Sequence, residues 1–488
     1  MSGNQGDLLD TTAAGPVAVR GGAVRVVGYA AGVLLTVASA AVLFRYLGVE
    51  DSGRYLTVLA LTSIVTGVTD VGLTTIGMRE LAVREESEKR RLMRDLLGVR
   101  LVLATVGVAA AGAFTVVAGY DSQMVAGTFV AGVGVVVVTV QSTLSIVLMV
   151  QLRLGWVTVL DLIRQALLVA GIFVLVAADA GIVAFLALAG PTAAVSLALT
   201  AVVVRGTVPL IPSFNTRRWR LLLREVLPFA AATIVAAIYF RASLIVLGLV
   251  STNTETGYFG AAFRVTEVLL AVPNLLVGAA FPIFARAARD DHDRLSYGVD
   301  RVFQASVILG GLFFVSLSLG AEFAIGVVAG DDFGPSAGVL RIQAAALMCS
   351  FAATTLFYAL LSLRMHRAIL LIACSVLIVN VLLAAVLGSA HGADGAAWST
   401  LASEVVGLTI ALVALRRRHP SVVPSLGIVA RVALAVGAGL LPVLLPGLRS
   451  VVDAALGSLI YLAVIWILRA VPRELLDAVR PAATDLRG

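Results

Sequence analysis

The chain has 488 residues, of which 60% are hydrophobic and only 13% charged, where soluble domains carry roughly a quarter charged residues. That balance excludes an ordinary water-soluble protein and identifies an integral membrane protein. The net charge of +7 would suggest nucleic acid for a soluble chain, but here the basic residues gather in one set of loops, so topology accounts for them and no nucleic-acid partner is expected.

The opening MSGNQGDLLDTTAAGP is polar and lacks a basic n-region, so residues 1–21 read as a short cytoplasmic tail, not a cleaved signal. Apolar runs of about 20 residues then recur without the alternation of barrel strands, which predicts spanning helices. Cutting at polar loops places about fourteen, at 22–46, 55–78, 95–118, 124–150, 158–178, 181–204, 225–250, 257–284, 302–328, 336–363, 368–388, 394–415, 427–447 and 450–470.

The loops sort by charge. One set, including RELAVREESEKRRLMRD (79–95), RGTVPLIPSFNTRRWRLLLRE (205–225), ARAARDDHDR (285–294) and RRRHP (416–420), is rich in arginine. The alternate set, including LGVEDSGR (47–54), STNTETG (251–257) and AGDDFGPS (329–336), is short and neutral to acidic. The positive-inside rule makes the first set cytoplasmic and puts both termini inside, as an even helix count requires.

An internal echo divides the chain. SGRY (52–55) and TGYF (256–259) recur 204 residues apart, and at the same offset Asp70 corresponds to Asn274. Six spans separate the two, as in transporters built from parallel repeats. The expected fold is therefore an all-α integral membrane protein of about fourteen transmembrane helices: two six-helix lobes in pseudo-twofold repeat, plus two C-terminal helices. Residues 22–204 form the N-lobe (helices 1–6), 205–224 a cytoplasmic inter-lobe loop, 225–415 the C-lobe (helices 7–12), 416–470 helices 13 and 14, and 471–488 a cytoplasmic tail.

Four segments, FRYLGVEDSGRY (44–55), DVGLTTIGMRELA (70–82), TGYFGAAFRVTEVLLAVPNLLVGAAFPIFAR (256–286) and AGDDFGPSAGVLRIQAAA (329–346), together resemble the polysaccharide-exporter or oligosaccharide flippase family. That family is related to multidrug and toxin extrusion transporters and to lipid II flippases. The resemblance implies a two-lobed transporter of the cell membrane that moves polyprenyl-pyrophosphate-linked sugars from the inner to the outer leaflet. It also implies a groove along helices 13 and 14 for the polyprenyl tail. Many relatives carry an aspartate near the position occupied here by Ser243.

Ionisable groups inside spans mark pathways by default, because a charge at the bilayer centre costs roughly 2.5–3.5 kcal/mol even on the lenient insertion scale. Arg241, Arg264, Glu267 and Arg341, joined by Asp70, are the candidate substrate-binding residues. A guanidinium offers a planar fork of donors, charged at any working pH, to the oxygens of a pyrophosphate. Arg264 and Glu267 share a helix face three residues apart, so Glu267 is either the partner of Arg264 or a carrier of H+ or Na+. Gln141, Asn274 and Asn380 are expected to hydrogen-bond between helices. Pro273 and Pro282 are candidate bends in helix 8.

Lys89 is the sole lysine and lies outside any glycine-rich stretch, which excludes a GxxxxGK[ST] phosphate loop. None of the four histidines forms HExxH. Cys349 and Cys374 lie within apolar runs and read as small hydrophobes. No enzyme activity, metal or cofactor is expected, and a monomer is. The alternative function is a cation-coupled drug or metabolite antiporter, for which Glu267 and Glu404 supply candidate carboxylates.

Overall fold

The computed structural model describes residues 14–70, 72–207, 211–444 and 450–470. The expected C-terminal tail and most of the N-terminal one lie outside the described residues, as do parts of the inter-lobe loop and of the last external loop. Every regular element among the described residues is helical. Among the described residues, twelve helical stretches are long and apolar enough to cross a membrane; two of them, Leu34–Val83 and His366–Arg418, are 50 and 53 residues long, enough for two crossings each, which agrees with about fourteen.

Both doublings turn at a glycine. The helix Ala14–Asp70 is broken at Gly48 (φ 70°) and the helix His366–Arg418 at Gly392 (φ 56°), a left-handed backbone that a side chain would strain. At the second break the Glu255 carboxylate accepts from the Ala393 N–H at 2.8 Å, so a side chain caps the helix that starts there.

Helix ends run beyond the apolar runs. The crossing expected at 95–118 begins at Glu86, the one expected at 225–250 begins at Thr216, and the one expected at 302–328 begins at His292. The run REESEKRR is thus largely the first turns of a helix and not a loop. Glu, Lys and Arg are good helix formers, and outside the hydrocarbon nothing obliges a helix to stop. Within crossings there are also breaks. Asp70 ends one helix and Leu73 starts the next, Leu188 separates Ile182–Ala187 from Ala189–Val203, and Gly320 separates His292–Leu319 from Ala321–Val328. In helix 8, Asn253–Leu269 gives way at Leu270 to Ala271–Asp290. Pro273 follows that break, where it withholds a backbone donor, whereas Pro282 stays inside its helix.

Contacts divide the chain into two compact units. Among the described residues, one holds those up to 47 with those between 57 and 237, and the other those between 48 and 56 with those from 238 to 470. In the first, the helix Ser122–Val150 touches each of Leu73–Val83, Glu86–Val117, Leu154–Ala177, Ile182–Ala187 and Ala189–Val203. Leu96, Leu144, Ile146, Leu148 and Leu160 form its apolar core, onto which Trp219 packs. Gln141 donates to Thr200 of a neighbouring helix at 3.3 Å, the interhelical role expected of it.

In the second unit the helix Ser336–Ser362 is central, packed on Asn253–Leu269, Ala271–Asp290, His292–Leu319 and His366–Arg418. The last two crossings join this unit through His292–Leu319: Tyr461 donates to the Ile308 carbonyl at 2.7 Å, and Ser316 bonds Ser458 at 2.8 Å. The echoed motifs meet here as well. A Cβ added at Gly53 of SGRY would collide with the Asn253 carbonyl, and one at Gly257 of TGYF with the Val49 carbonyl. Large apolar side chains on the crossings, among them Val106, Phe173, Leu382, Leu434 and Leu459, are exposed. An apolar exterior of that extent suits hydrocarbon and not water, so the protein is a multi-pass membrane protein.

Candidate functional site

Three of the five candidate residues come together in the second unit. Arg241 lies on the helix Thr216–Val250, and Arg264 and Glu267 on Asn253–Leu269. Arg241 Nη2 donates to Glu267 Oε1 at 2.6 Å and Arg264 Nη1 to Glu267 Oε2 at 2.8 Å. One carboxylate thus serves two guanidiniums, with a formal surplus of one positive charge. All three side chains are half-buried, 18% exposed for Arg241, 28% for Arg264 and 20% for Glu267, so the group is neither sealed in the core nor lying free on the surface.

Aromatic rings fix the geometry. The Arg241 guanidinium carbon lies 4.9 Å from the Phe240 ring centre and 5.5 Å from that of Phe263, within cation–π range. The two rings meet edge to face at 5.2 Å. Arg264 Nε is buried and unbonded, so a donor of the cluster remains unspent. A cationic, ring-braced pair of guanidiniums is chemically suited to an anionic oxygen cluster.

The other two candidates lie elsewhere. Arg341 donates to Glu322 at 3.0 Å and to the Ser318 carbonyl at 3.2 Å, and it is 46% exposed. That is a surface tie between neighbouring helices, of small energetic weight. Asp70 belongs to the first unit, at the helix break before Leu73, where Arg100 Nη2 donates to it at 2.8 Å and the Thr74 hydroxyl also bonds it. No local pattern joins Arg100 to Asp70, from which it stands 30 residues away near the start of an apolar run. Its guanidinium is 4% exposed, whereas Asp70 is 49% exposed.

Next to the arginine pair, the second unit holds a partly open cavity of about 60 Å³ lined by Tyr239, Ser243, Gln343, Asn380, Thr400 and Glu404 among others. This is room for a few water molecules and not for a sugar. Tyr239 donates to Glu404 at 2.6 Å. Ser243 donates to Asn380 at 3.0 Å and bonds Thr400 at 3.0 Å. Asn380 therefore does bridge helices as expected, while Asn274 only bonds the Leu270 carbonyl of its own turn. No group of three or more His, Cys, Asp or Glu able to hold a metal occurs among the described residues.

Solved structures share this fold. A lipid II flippase, MurJ, in an inward closed conformation superposes with a TM-score of 0.78 at 13% identity, covering 93% of this chain and 99% of its own. An inward-facing multidrug resistance MATE transporter of the MOP superfamily gives 0.56 at 12%, covering 79% and 96%. A MOP superfamily transporter from Pyrococcus furiosus gives 0.55 at 13%, covering 84% and 96%. No curated protein matches the sequence. At these identities the likeness establishes the fold of such transporters and nothing finer. Residues 18–288, more than half of the chain, match the family model described as polysaccharide biosynthesis protein, and the chain belongs to that family, whose resemblance to oligosaccharide flippases the motifs announced.

Proposed function

We propose that the protein is a flippase that carries a polyprenyl-diphosphate-linked oligosaccharide from the inner to the outer leaflet of the cell membrane by alternating access. The observation that carries this reading is the Arg241–Glu267–Arg264 cluster, a half-buried and net cationic group inside two membrane crossings. A diphosphate competes with Glu267 for the two guanidiniums, so the carboxylate holds them in place when the headgroup is absent. Glu267 then acts as ion-pair partner and not as cation carrier. The sugars stay outside the 60 Å³ cavity, which has no room for them, and the polyprenyl chain stays in lipid.

Membership of the polysaccharide biosynthesis family supports the substrate class, and the MurJ-like fold is compatible with it. No nucleotide is required for drive. Moving a negative charge outward under an inside-negative potential of 100 mV releases about 2.3 kcal/mol per charge.

The test is flipping of a fluorescent polyprenyl-diphosphate sugar in proteoliposomes. Arg241→Gln abolishes it on this reading, and an imposed inside-negative potential accelerates it. Wild-type rates with the arginine removed, or indifference to potential, refute it. A second reading, cation-coupled antiport of an organic cation, is favoured by one observation, the half-buried Tyr239–Glu404 pair beside a small cavity. It predicts loss of pH-dependent cation uptake in Glu404→Gln with Arg241→Gln still active.

A further inference from the structure

A second arginine cluster lies at the arginine-rich end of the first unit, apart from the Arg241–Glu267–Arg264 group of the second. Ser87, Arg90, Arg91 and Arg94 follow one another at the spacing of a single helix face on Glu86–Val117. With Ser213 and Arg218 they line a cleft of about 520 Å³, inside the roughly 300–1,000 Å³ of ligand sites. Every lining residue is arginine or serine, so four cations and two hydroxyls face one space with no carboxylate among them.

The far wall of the cleft is built, not draped. The Ser213 N–H donates to the Arg94 carbonyl at 2.8 Å, and a Cβ at Gly98 would collide with the Ser213 carbonyl, so the segment is clamped to the helix. Asn215 then accepts from the Arg218 N–H at 3.1 Å and caps the helix Thr216–Val250, while Trp219 sits on the apolar core. Asp95 approaches Arg218 at 3.3 Å from outside the lining. Arg90, Arg91 and Arg94 have no ion pair among the described residues. Like charges three and four residues apart on a helix repel, and a fixed cleft that gathers them is relieved by an anion.

We propose that this cleft binds the phosphate group of a lipid headgroup. The positive-inside rule puts this end of the unit at the cytoplasmic leaflet, where headgroup phosphates lie and where basic pockets between helices hold anionic lipids. Two sources share the chemistry: an anionic phospholipid of the bulk membrane, or the diphosphate of a polyprenyl-linked sugar on its way to transport. The second source rests on the proposed function and the first does not.

The test uses the whole protein in nonionic detergent and follows thermal unfolding as short-chain phosphatidylglycerol, short-chain phosphatidylcholine or inorganic pyrophosphate is added. Phosphatidylglycerol stabilises the wild type and phosphatidylcholine does not. Arg91→Gln/Arg94→Gln weakens that binding at least about tenfold through loss of charge-assisted hydrogen bonds, whereas Arg416→Gln/Arg417→Gln, equal in charge but outside the cleft, leaves it unchanged. All four positions are exposed, so the variants fold. Pyrophosphate acting through the same two arginines and displacing phosphatidylglycerol assigns the diphosphate source; indifference to pyrophosphate assigns the bulk phospholipid. Equal stabilisation by both phospholipids, or equal weakening in both variants, overturns the proposal. The readout involves no transport, so its outcome stands whatever Arg241→Gln does to flipping.

Discussion

Replacing Glu267 by glutamine keeps the shape of the side chain and one acceptor oxygen but removes the charge that two guanidiniums share. A unit pair about 4 Å apart at an effective dielectric of about 20 attracts by roughly 4 kcal/mol before desolvation is counted. Two such attractions vanish together in Glu267→Gln, and the repulsion between Arg241 and Arg264 is left uncompensated. Removing one member of a buried pair costs about 3–5 kcal/mol. The three side chains keep 18–28% of their exposure, which lets water screen them, so the lower end, about 3 kcal/mol, is expected. Arg264→Gln and Arg241→Gln each leave Glu267 one partner, and each costs less than about 2 kcal/mol. The double variant Arg264→Gln/Glu267→Gln removes the repulsion and is more stable than Glu267→Gln alone. Denaturant unfolding in mixed micelles measures all four, with the m-value checked for constancy. Should Glu267→Gln prove no less stable than either single arginine variant, the shared-carboxylate account is wrong.

Three further outcomes follow from the same kind of accounting. Asp70→Asn strands the 4%-exposed guanidinium of Arg100 and costs about 3 kcal/mol, whereas Arg100→Met leaves a half-exposed carboxylate that water can solvate and costs less; unfolding midpoints in the reverse order refute this. Gly257→Ala and Gly53→Ala force backbone apart and destabilise by about 1–3 kcal/mol, while Gly326→Ala, with open space around it, is neutral or stabilising by up to about 1 kcal/mol; thermal shifts of the three separate the cases. Tyr239→Phe leaves the Glu404 carboxylate without its 2.6 Å donor and lowers stability by about 1–3 kcal/mol, which scanning calorimetry in detergent resolves.

The crossings were legible because hydrocarbon enforces a minimum apolar length and the basic loops set the phase. Helix ends were not, since outside the bilayer core the residues of Glu86–Met93 or Thr216–Arg224 satisfy a helix as well as a loop. At the candidate site, the bond between Arg264 and Glu267 follows from helical spacing alone. Arg241 and Glu267 are 26 residues apart on different helices, and nothing in the local pattern joins them. Separation in sequence likewise hides Arg100 behind Asp70, Glu322 behind Arg341 and Tyr239 behind Glu404, at 30, 19 and 165 residues. Each partner became visible only when packing brought two helix faces together. The arginines at 90, 91 and 94 were plain in the sequence, but the wall that turns them into a cleft comes from Ser213, more than a hundred residues later.

The reciprocal seating of Gly53 and Gly257 bears on how the two halves can diverge. Each lies where the other motif's neighbouring carbonyl leaves no space for even a methyl group, so a substitution at one cannot be rescued by freedom at the other. Drift at both positions is blocked by the same steric lock, and the similarity of SGRY to TGYF is kept in place by touch and need not owe anything further to descent. Relatives that share this contact should accordingly keep both glycines.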